Sequence, residues 1–315
     1  MASEYVLSKP QVGVIHTYGP NLTAFEFTTT PTEPAPNVVL FVGGLGNGLL
    51  DVPYLPPLAE RLRSLKTRDG NWVLIQILIR SSYSGWGTSS LRNDTRDISA
   101  LIKYLRSPIG GNRKKIILHG HSTGCQDTLE YLSVKSYEPD FDSSASVDGG
   151  ILQAPVSDSE AFRSVSGIPE DKFDQLVKVV EDEYLAQGKK NVILPEKYRK
   201  LSFSTPISAY RFHSLASKRG DDDYFSSYLT EEDYKKSFGK VKKPLLVLYG
   251  SKDEFVPDYV DKEKLVSDWK QATDPTFWSP LSKLLKGAIH NIGPGSDEGA
   301  EADFIETVVS FIQDL

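Results

Sequence analysis

The sequence predicts an α/β fold in which a mostly parallel sheet of eight strands carries helices on both faces. Short apolar segments rich in β-branched residues alternate with longer amphipathic segments, and continuous apolar strands are typical of a sheet that is buried on both sides. One strand also runs through the pentapeptide "GHSTG" directly into a helix. The chain has 315 residues and is 39% hydrophobic, so it can bury a full core, as one large domain or two smaller ones.

Eight segments have the composition of strands, and the first two flank the turn "GPN", which predicts an antiparallel hairpin. The predicted strands are 11–18, 22–29, 37–44, 72–79, 115–120, 149–154, 244–250 and 282–289. Amphipathic segments between most of them predict the covering helices 55–66, 91–107, 125–135, 259–271 and 301–315. This order predicts a mostly parallel sheet with helices on both faces.

One interval breaks the alternation. Residues 156–243 separate two strands where about 20 residues would suffice for a crossover. They contain the helical stretch "EDKFDQLVKVVEDEYLAQG". We therefore predict a core of 1–155 and 244–315 with an inserted lid subdomain at 156–243, which covers the carboxyl edge of the sheet and sets substrate choice.

The pentapeptide "GHSTG" places Ser122 on a strand-to-helix turn. The apolar run before it predicts a buried strand, and the leucines after it recur at helical spacing. Gly120 and Gly124 allow the strand and helix to approach closely, which pushes the serine hydroxyl into the open. In this context Ser122 is the candidate nucleophile, whereas the pattern alone is weak evidence and would also fit a turn serine that has no chemistry.

A serine nucleophile requires a base and an orienting acid at other strand ends. His290 is the one histidine of five that follows the last core strand, and Asp253 lies three residues after the end of the preceding strand. They give the chain order Ser, Asp, His, which is typical of hydrolases with this type of sheet. The neighbouring Glu254 and Asp258 are read as solvated loop charges, and Asp158 is the reserve candidate for the acid.

The negative charge that develops during acyl transfer requires two backbone N–H donors. Thr123, directly after the serine, supplies one, and the loop "GGLGNGLLDVP" supplies the other, with Leu45 preferred over Gly44 and Gly46. A dinucleotide-binding reading of this loop fails because Leu49 stands where a third glycine is required.

Composition excludes several function classes. The net charge is −6 and no basic cluster occurs, so neither nucleic acid nor an anionic membrane is an expected partner. The N-terminus lacks the features of a signal peptide, and the single cysteine, Cys125, suits a reducing compartment, so we expect a cytoplasmic protein. His119 and His121 have no companion ligands at metal-binding spacing, so no metal or other cofactor is expected.

Four segments resemble a known family. They are the elbow "GHSTGCQD", the loop "FVGGLGNGLLDVPYL", the segment "RSSYSGWGTSSL" and the stretch "AYRFHSLASKRGDDDYFSSYLTEED". Together they resemble the fungal and plant α/β-hydrolases grouped as domain of unknown function 1749, and the resemblance covers nearly the whole chain. It implies a cytosolic carboxylester hydrolase with Ser122, Asp253 and His290 as its triad. The family includes a fungal esterase of the siderophore fusarinine C, which suggests ester bonds of hydroxamate siderophores as substrate.

Further substrate contacts are predicted at Gly44, Gly46 and Tyr83, and at the acidic run Asp221, Asp222 and Asp223. The resemblance implies a substrate with free amino groups, which this run would attract; the alternative is a solvated turn. Two other functions remain open: an esterase, thioesterase or lactonase for another small acyl substrate, or a non-catalytic protein that binds a small molecule in the same pocket. The oligomeric state is not predicted.

Overall fold

A computed structural model describes residues 9–30 and 32–315. Residues 1–8, which belong to the N-terminal segment where no signal peptide is predicted, lie outside the described residues, as does residue 31. Within the described part, no helix combines the length and apolar character needed to cross a membrane.

The described residues contain nine strands: β1 (Val14–Gly19), β2 (Leu22–Glu26), β3 (Asn37–Val42), β4 (Lys66–Thr67), β5 (Gly70–Leu78), β6 (Lys115–His121), β7 (Gly149–Gln153), β8 (Leu245–Gly250) and β9 (Lys283–Leu285). They form one sheet in the order β1-β2-β5-β3-β6-β7-β8-β9, with β4 paired to β5. From β5 to β9 along this order all neighbours are parallel, and β1 and β2 are antiparallel additions at one edge. The predicted fold class and the leading hairpin are confirmed.

Two details differ from the prediction. The ninth strand is the two-residue β4, which pairs antiparallel with the start of β5 and is too short to leave a hydrophobic pattern in the sequence. The last strand ends at Leu285 instead of residue 289. Gly287 adopts φ +72 just beyond it, so the chain turns there and the apolar residues that follow belong to the loop that carries His290.

Ten α-helices lie in the described residues: α1 (Leu55–Ser64), α2 (Leu91–Arg106), α3 (Gly124–Ser133), α4 (Asp158–Ser166), α5 (Glu170–Val180), α6 (Glu196–Leu201), α7 (Ala209–Ala216), α8 (Glu231–Lys236), α9 (Lys262–Ala272) and α10 (Ala300–Gln313). The central strand β3 shows how the sheet is covered. Its side chains are fully buried and alternate between two cores, with Leu40 on the face of α2, α3 and α9, and Phe41 on the face of α1 and α10.

Helices α4–α8 lie in the interval between β7 and β8, and α4–α7 enclose a third cluster of buried apolar residues, which includes Phe173 and Phe212. Leu45 and Trp86, from the loops that follow β3 and β5, pack into the same cluster. The backbone N–H of Ser208 also donates to the carbonyl of Gly87 at 2.8 Å. Helices α4–α7 therefore contact loops at the carboxyl edge of the sheet, where the predicted site residues are found.

Candidate active site

Ser122 lies on a strained turn between β6 and α3. Its φ is +54, a left-handed conformation that is uncommon for a residue with a side chain. The flanking glycines are required by packing, since a Cβ on Gly120 would lie 2.1 Å from the carbonyl oxygen of Gly124, and one on Gly124 would lie 2.3 Å from that of Val42. The Ser122 N–H donates to the carbonyl of Gln153 at 3.0 Å, which anchors the turn to β7. This is the geometry of a nucleophile elbow.

His290 and Asp253 are brought together from the loops after β9 and β8. Nδ1 of His290 lies 2.8 Å from Oδ2 of Asp253, and the two residues are only 7% and 3% exposed. A carboxylate only accepts, so Nδ1 carries the hydrogen and the lone pair is left on Nε2. Glu254 holds the same loop by accepting the backbone N–H of His290 at 2.9 Å.

The charges around His290 oppose the effect of burial on its pKa. Burial by itself lowers the pKa of the imidazole, but the charge and hydrogen bond of Asp253, together with the charge of Glu254, raise it to a net value above its ordinary one. The protonated form of His290 is thus stabilised, as a base that takes up a proton during a reaction requires.

The reserve acid lies elsewhere. Asp158 is buried at the start of α4, where its Oδ2 accepts a hydrogen bond from Nε2 of Gln126 at 2.6 Å. Burial raises the pKa of Asp158 well above its usual range. Asp258 is exposed, as the solvated-charge reading expects, whereas Glu254 is held against the backbone of His290. Of the four candidates, the structure pairs Asp253 with the imidazole.

The glycine-rich loop after β3 passes directly against Ser122, since a Cβ on Gly44 would lie 2.5 Å from the Cβ of Ser122. The N–H of Gly44 is engaged, because it donates to Oδ1 of Asn47 at 2.9 Å. Gly46 is exposed and has a φ of +77. In the described chain, no acceptor is found for the N–H of Leu45 or of Thr123, so these two donors are available to a ligand beside Ser122.

Tyr83 supports this loop from outside. Its hydroxyl accepts the backbone N–H of Leu49 at 3.1 Å, and its own N–H donates to the carbonyl of Asn47 at 3.0 Å. Its ring closely covers Gly48, where a Cβ would lie 1.7 Å from the ring. Tyr83 is 53% exposed, so its observed contacts hold the loop, and its contact with substrate stays a prediction.

The acidic run does not form one surface. Asp222 is buried and pairs with Arg211 at 2.5 Å, and Asp223 accepts the N–H of Arg219 at 2.8 Å and the hydroxyl of Tyr228. Asp221 is exposed and accepts the hydroxyl of Tyr210 at 2.7 Å. The carboxylates of Asp222 and Asp223 thus bind other residues of the insertion. These partners could not be predicted from a run of like charges in the sequence. Contact of the three aspartates with substrate stays a prediction.

Gln153, at the end of β7, connects the parts of the site and was missed by sequence reasoning. Its side-chain oxygen accepts the hydroxyl of Tyr54 at 3.0 Å and pairs with Nδ1 of His121, and its amide nitrogen donates to the carbonyl of His290 at 3.0 Å. Its backbone carbonyl holds Ser122, as described above. The only signal in the sequence is a polar residue at the end of an otherwise apolar strand.

His119 and His121 belong to the packing around the site. His119 is fully buried among aromatic rings, including Tyr54 and Phe304, and neither of its ring nitrogens has a hydrogen-bond partner among the described residues. Burial lowers its pKa to about 3, so it is neutral. The ring of His121 lies 5.0 Å from that of His290. In residues 9–30 and 32–315, no group of three potential ligands could hold a metal ion.

The chain is similar to several known proteins. The family described as "Protein of unknown function (DUF1749)" matches residues 2–313. A UPF0613 protein of Schizosaccharomyces pombe is 37% identical, covering 98% of each chain. Fusarinine C esterase sidJ of Aspergillus fumigatus is 35% identical over 92% of this chain and 91% of its own length.

The fold of this chain is also similar to that of solved structures. The siderophore hydrolase EstB from Aspergillus fumigatus is 32% identical, with a TM-score of 0.81, over 97% of this chain and 98% of its own. A monoacylglycerol lipase from Paleococcus ferrophilus, 17% identical with a TM-score of 0.58 over 94% of this chain and 99% of its own, shows the fold alone. This protein has the α/β-hydrolase fold and belongs to the DUF1749 family.

Proposed function

We propose that this protein is a serine carboxylester hydrolase that acts through an acyl-enzyme. The observation that carries the proposal is the buried pair of His290 and Asp253, formed across two loops at the same sheet edge as the strained turn of Ser122. Nε2 of His290 takes the proton of Ser122 Oγ as the oxygen attacks the ester carbonyl carbon, and then gives it to the leaving alcohol. Water, activated by the same imidazole, hydrolyses the acyl-enzyme.

The oxyanion of each tetrahedral intermediate is held by the N–H groups of Leu45 and Thr123. Both lack an acceptor in the described chain, and Thr123 stands at the start of α3, whose dipole adds positive potential there. Gly44 is a weaker candidate because Asn47 already accepts its N–H.

The substrate we propose is a small ester of the hydroxamate siderophore type. This extends to the chain what the names of two relatives say of those proteins, a fusarinine C esterase and a siderophore hydrolase. The insertion, residues 156–243, is proposed to act as a lid that sets substrate choice, since its apolar cluster packs against Leu45 of the oxyanion loop. To test the proposed substrate, the protein is given an iron-free cyclic hydroxamate ester, a short acyl ester and an acyl thioester side by side. The masses of the products show which of the three it hydrolyses.

A covalent probe tests the mechanism. A fluorophosphonate is expected to label the wild-type protein on the peptide that contains Ser122, and Ser122→Ala is expected to remain unlabelled. Ser84→Ala is the matched control, since Ser84 is exposed and its side chain forms no capping bond. Absence of label on the folded wild type would favour the alternative of a non-catalytic binding protein.

The pH dependence follows from His290. Only its neutral form can accept the serine proton, and its pKa is raised, so kcat/KM is expected to fall on acidification with a midpoint above 6.5, the ordinary value. Glu254→Gln removes one of the charges that raise this pKa and is expected to move the midpoint to lower pH. Asp258→Asn, which removes an exposed charge that is not among the causes of the shift, is the control. A wild-type midpoint below 6.5 would contradict the assignment.

A further inference from the structure

Among the described residues, only Gln153 forms hydrogen bonds with both Ser122 and His290. Its backbone carbonyl accepts the N–H of Ser122 at 3.0 Å, and its side-chain Nε2 donates to the carbonyl of His290 at 3.0 Å. The mechanism above uses neither contact. The proposed nucleophile and the proposed base are therefore each one hydrogen bond away from the same residue.

The strand order explains why such a connection matters. Ser122 follows β6 and His290 follows β9, and β7 and β8 lie between these strands in the sheet. In the described chain, the other hydrogen-bond partners of His290 are Asp253 and Glu254, which both follow β8. Those two residues hold His290 on its own side of the sheet. The bond from Gln153 is thus the one hydrogen bond that connects His290 to the side of the nucleophile.

Gln153 itself is held in a fixed position. It is the last residue of β7, is fully buried, and lies in register with His121 on β6 and, on the other side, next to β8. Ala154, directly after it, is also fully buried, has a φ of +55 and donates its N–H to the carbonyl of Leu248 at 2.9 Å. A left-handed residue other than glycine persists only where the surrounding structure imposes it. The strand therefore ends at Gln153 in one defined way.

The hydrogen bonds of the side chain also fix the orientation of its amide. The carbonyl of His290 only accepts, so the NH2 group of Gln153 must face it. The amide oxygen, which also only accepts, then faces Nδ1 of His121 and the hydroxyl of Tyr54. Burial and the charge of His290 lower the pKa of His121 well below its usual range, so its ring is neutral and its single hydrogen lies on Nδ1. Turning the amide over would place its oxygen against the carbonyl of His290.

We propose that Gln153 is a positioning residue that sets the distance between Nε2 of His290 and Oγ of Ser122 during acyl transfer. This inference rests on the proposed function and adds a residue to it. The proton passes from serine to imidazole only within hydrogen-bond reach, and a displacement of about 1 Å can lower a rate about 100-fold. Glutamine suits this role because its amide supplies a donor for the carbonyl of His290 and an acceptor for His121 and Tyr54.

The test replaces Gln153 by methionine, which is unbranched and of similar length but has no hydrogen to donate. On 4-nitrophenyl acetate, kcat of Gln153→Met is expected to be about 10- to 100-fold lower than that of the wild type, and KM is expected to change much less. The rate constant for fluorophosphonate labelling of Ser122 is expected to fall in parallel. The final labelled fraction is expected to stay complete, which shows that the loss is not due to unfolded protein.

Gln126→Met is the matched control. Gln126 is also fully buried, but its Nε2 donates to the carbonyl of Val156 at 3.1 Å and to Asp158, and it forms no hydrogen bond with Ser122 or His290. Its kcat is expected to stay within about threefold of wild type.

Tyr54→Phe separates the two ends of the Gln153 amide. It removes the hydroxyl that donates to the amide oxygen and leaves the bond from Nε2 to His290 in place. The kcat of Tyr54→Phe is therefore also expected to stay within about threefold of wild type.

A double-mutant cycle shows whether Gln153 acts through His290. In a His290→Ala protein, adding Gln153→Met should change the residual turnover by less than about threefold, because the imidazole that Gln153 positions is absent. Equal losses in both backgrounds would mean that Gln153 only supports the fold, and would overturn the inference. Wild-type kcat in a folded Gln153→Met protein would overturn it as well.

If Gln153→Met does not fold, Gln153→Asn takes its place. Asparagine keeps the amide but is one carbon shorter, so it cannot span the same distance to the carbonyl of His290. Its kcat is expected to fall at least about tenfold, and wild-type kcat would overturn the inference.

The fluorophosphonate probe separates failure of this inference from failure of the proposed function. If Ser122 is labelled in the wild type and Gln153→Met reacts at the wild-type rate, the inference alone is overturned. If Ser122 of the wild type is not labelled and 4-nitrophenyl acetate is not hydrolysed, the proposed function fails, and the inference fails with it.

Discussion

Ser122→Ala is expected to lower kcat for ester hydrolysis by several orders of magnitude while the protein stays folded. The substitution removes the oxygen that attacks the carbonyl carbon, so only the rate enhancement from the oxyanion donors and from binding remains. Alanine keeps the Cβ, so the cost of the turn at φ +54 is the same in both proteins. The measurement is kcat on an ester that the wild type hydrolyses, together with the unfolding temperature.

His290→Ala is expected to cause a loss of similar size, because serine and histidine act as one unit and their effects do not add. Ser84→Ala serves as the control here as well and should keep wild-type kcat. Near-wild-type turnover in a folded Ser122→Ala protein would show that the mechanism is wrong, whatever the result for His290.

Asp253→Asn is expected to lower kcat by about 10⁴-fold or less. In the wild type, Oδ2 of Asp253 accepts the hydrogen on Nδ1 of His290, at 2.8 Å, which leaves Nε2 free to accept the serine proton. An asparagine in the same place can instead donate its amide hydrogen to Nδ1, which favours the tautomer with its hydrogen on Nε2. That tautomer cannot act as the base.

Asp158→Asn is the matched control for the acid. It makes the same change at another buried aspartate, and the new amide oxygen can still accept the hydrogen bond from Gln126 that the structure shows. Its kcat should stay near the wild-type value. If Asp158→Asn were crippling and Asp253→Asn harmless, the acid would be misassigned while the roles of Ser122 and His290 would stand.

Much of the fold could be predicted because its signals are local. A strand buried on both faces must be mostly apolar, as β3 is from Val38 to Val42, and a covering helix must repeat its apolar residues with helical spacing. The elbow is local as well, since the close contacts at Gly120 and Gly124 exclude any larger residue there. By contrast, β4 left no signal, and the end of β9 depended on a turn at Gly287 inside an apolar run.

The sequence by itself determined the fold class, the position of Ser122 and the short list of its partners, because these depend on residue types over a few neighbouring positions. Only the tertiary structure decided which acid forms a hydrogen bond with His290. Asp253 and Asp158 both follow strands, and the paths of the two loops place Asp253 beside His290 and Asp158 beside Gln126. Two further contacts also depend on the tertiary structure: Asn47 accepts the hydrogen bond of the Gly44 N–H, and Gln153 donates to the carbonyl of His290. Hydrogen bonds between segments far apart in the chain depend on distances of a few tenths of an ångström, which no periodicity in a sequence encodes.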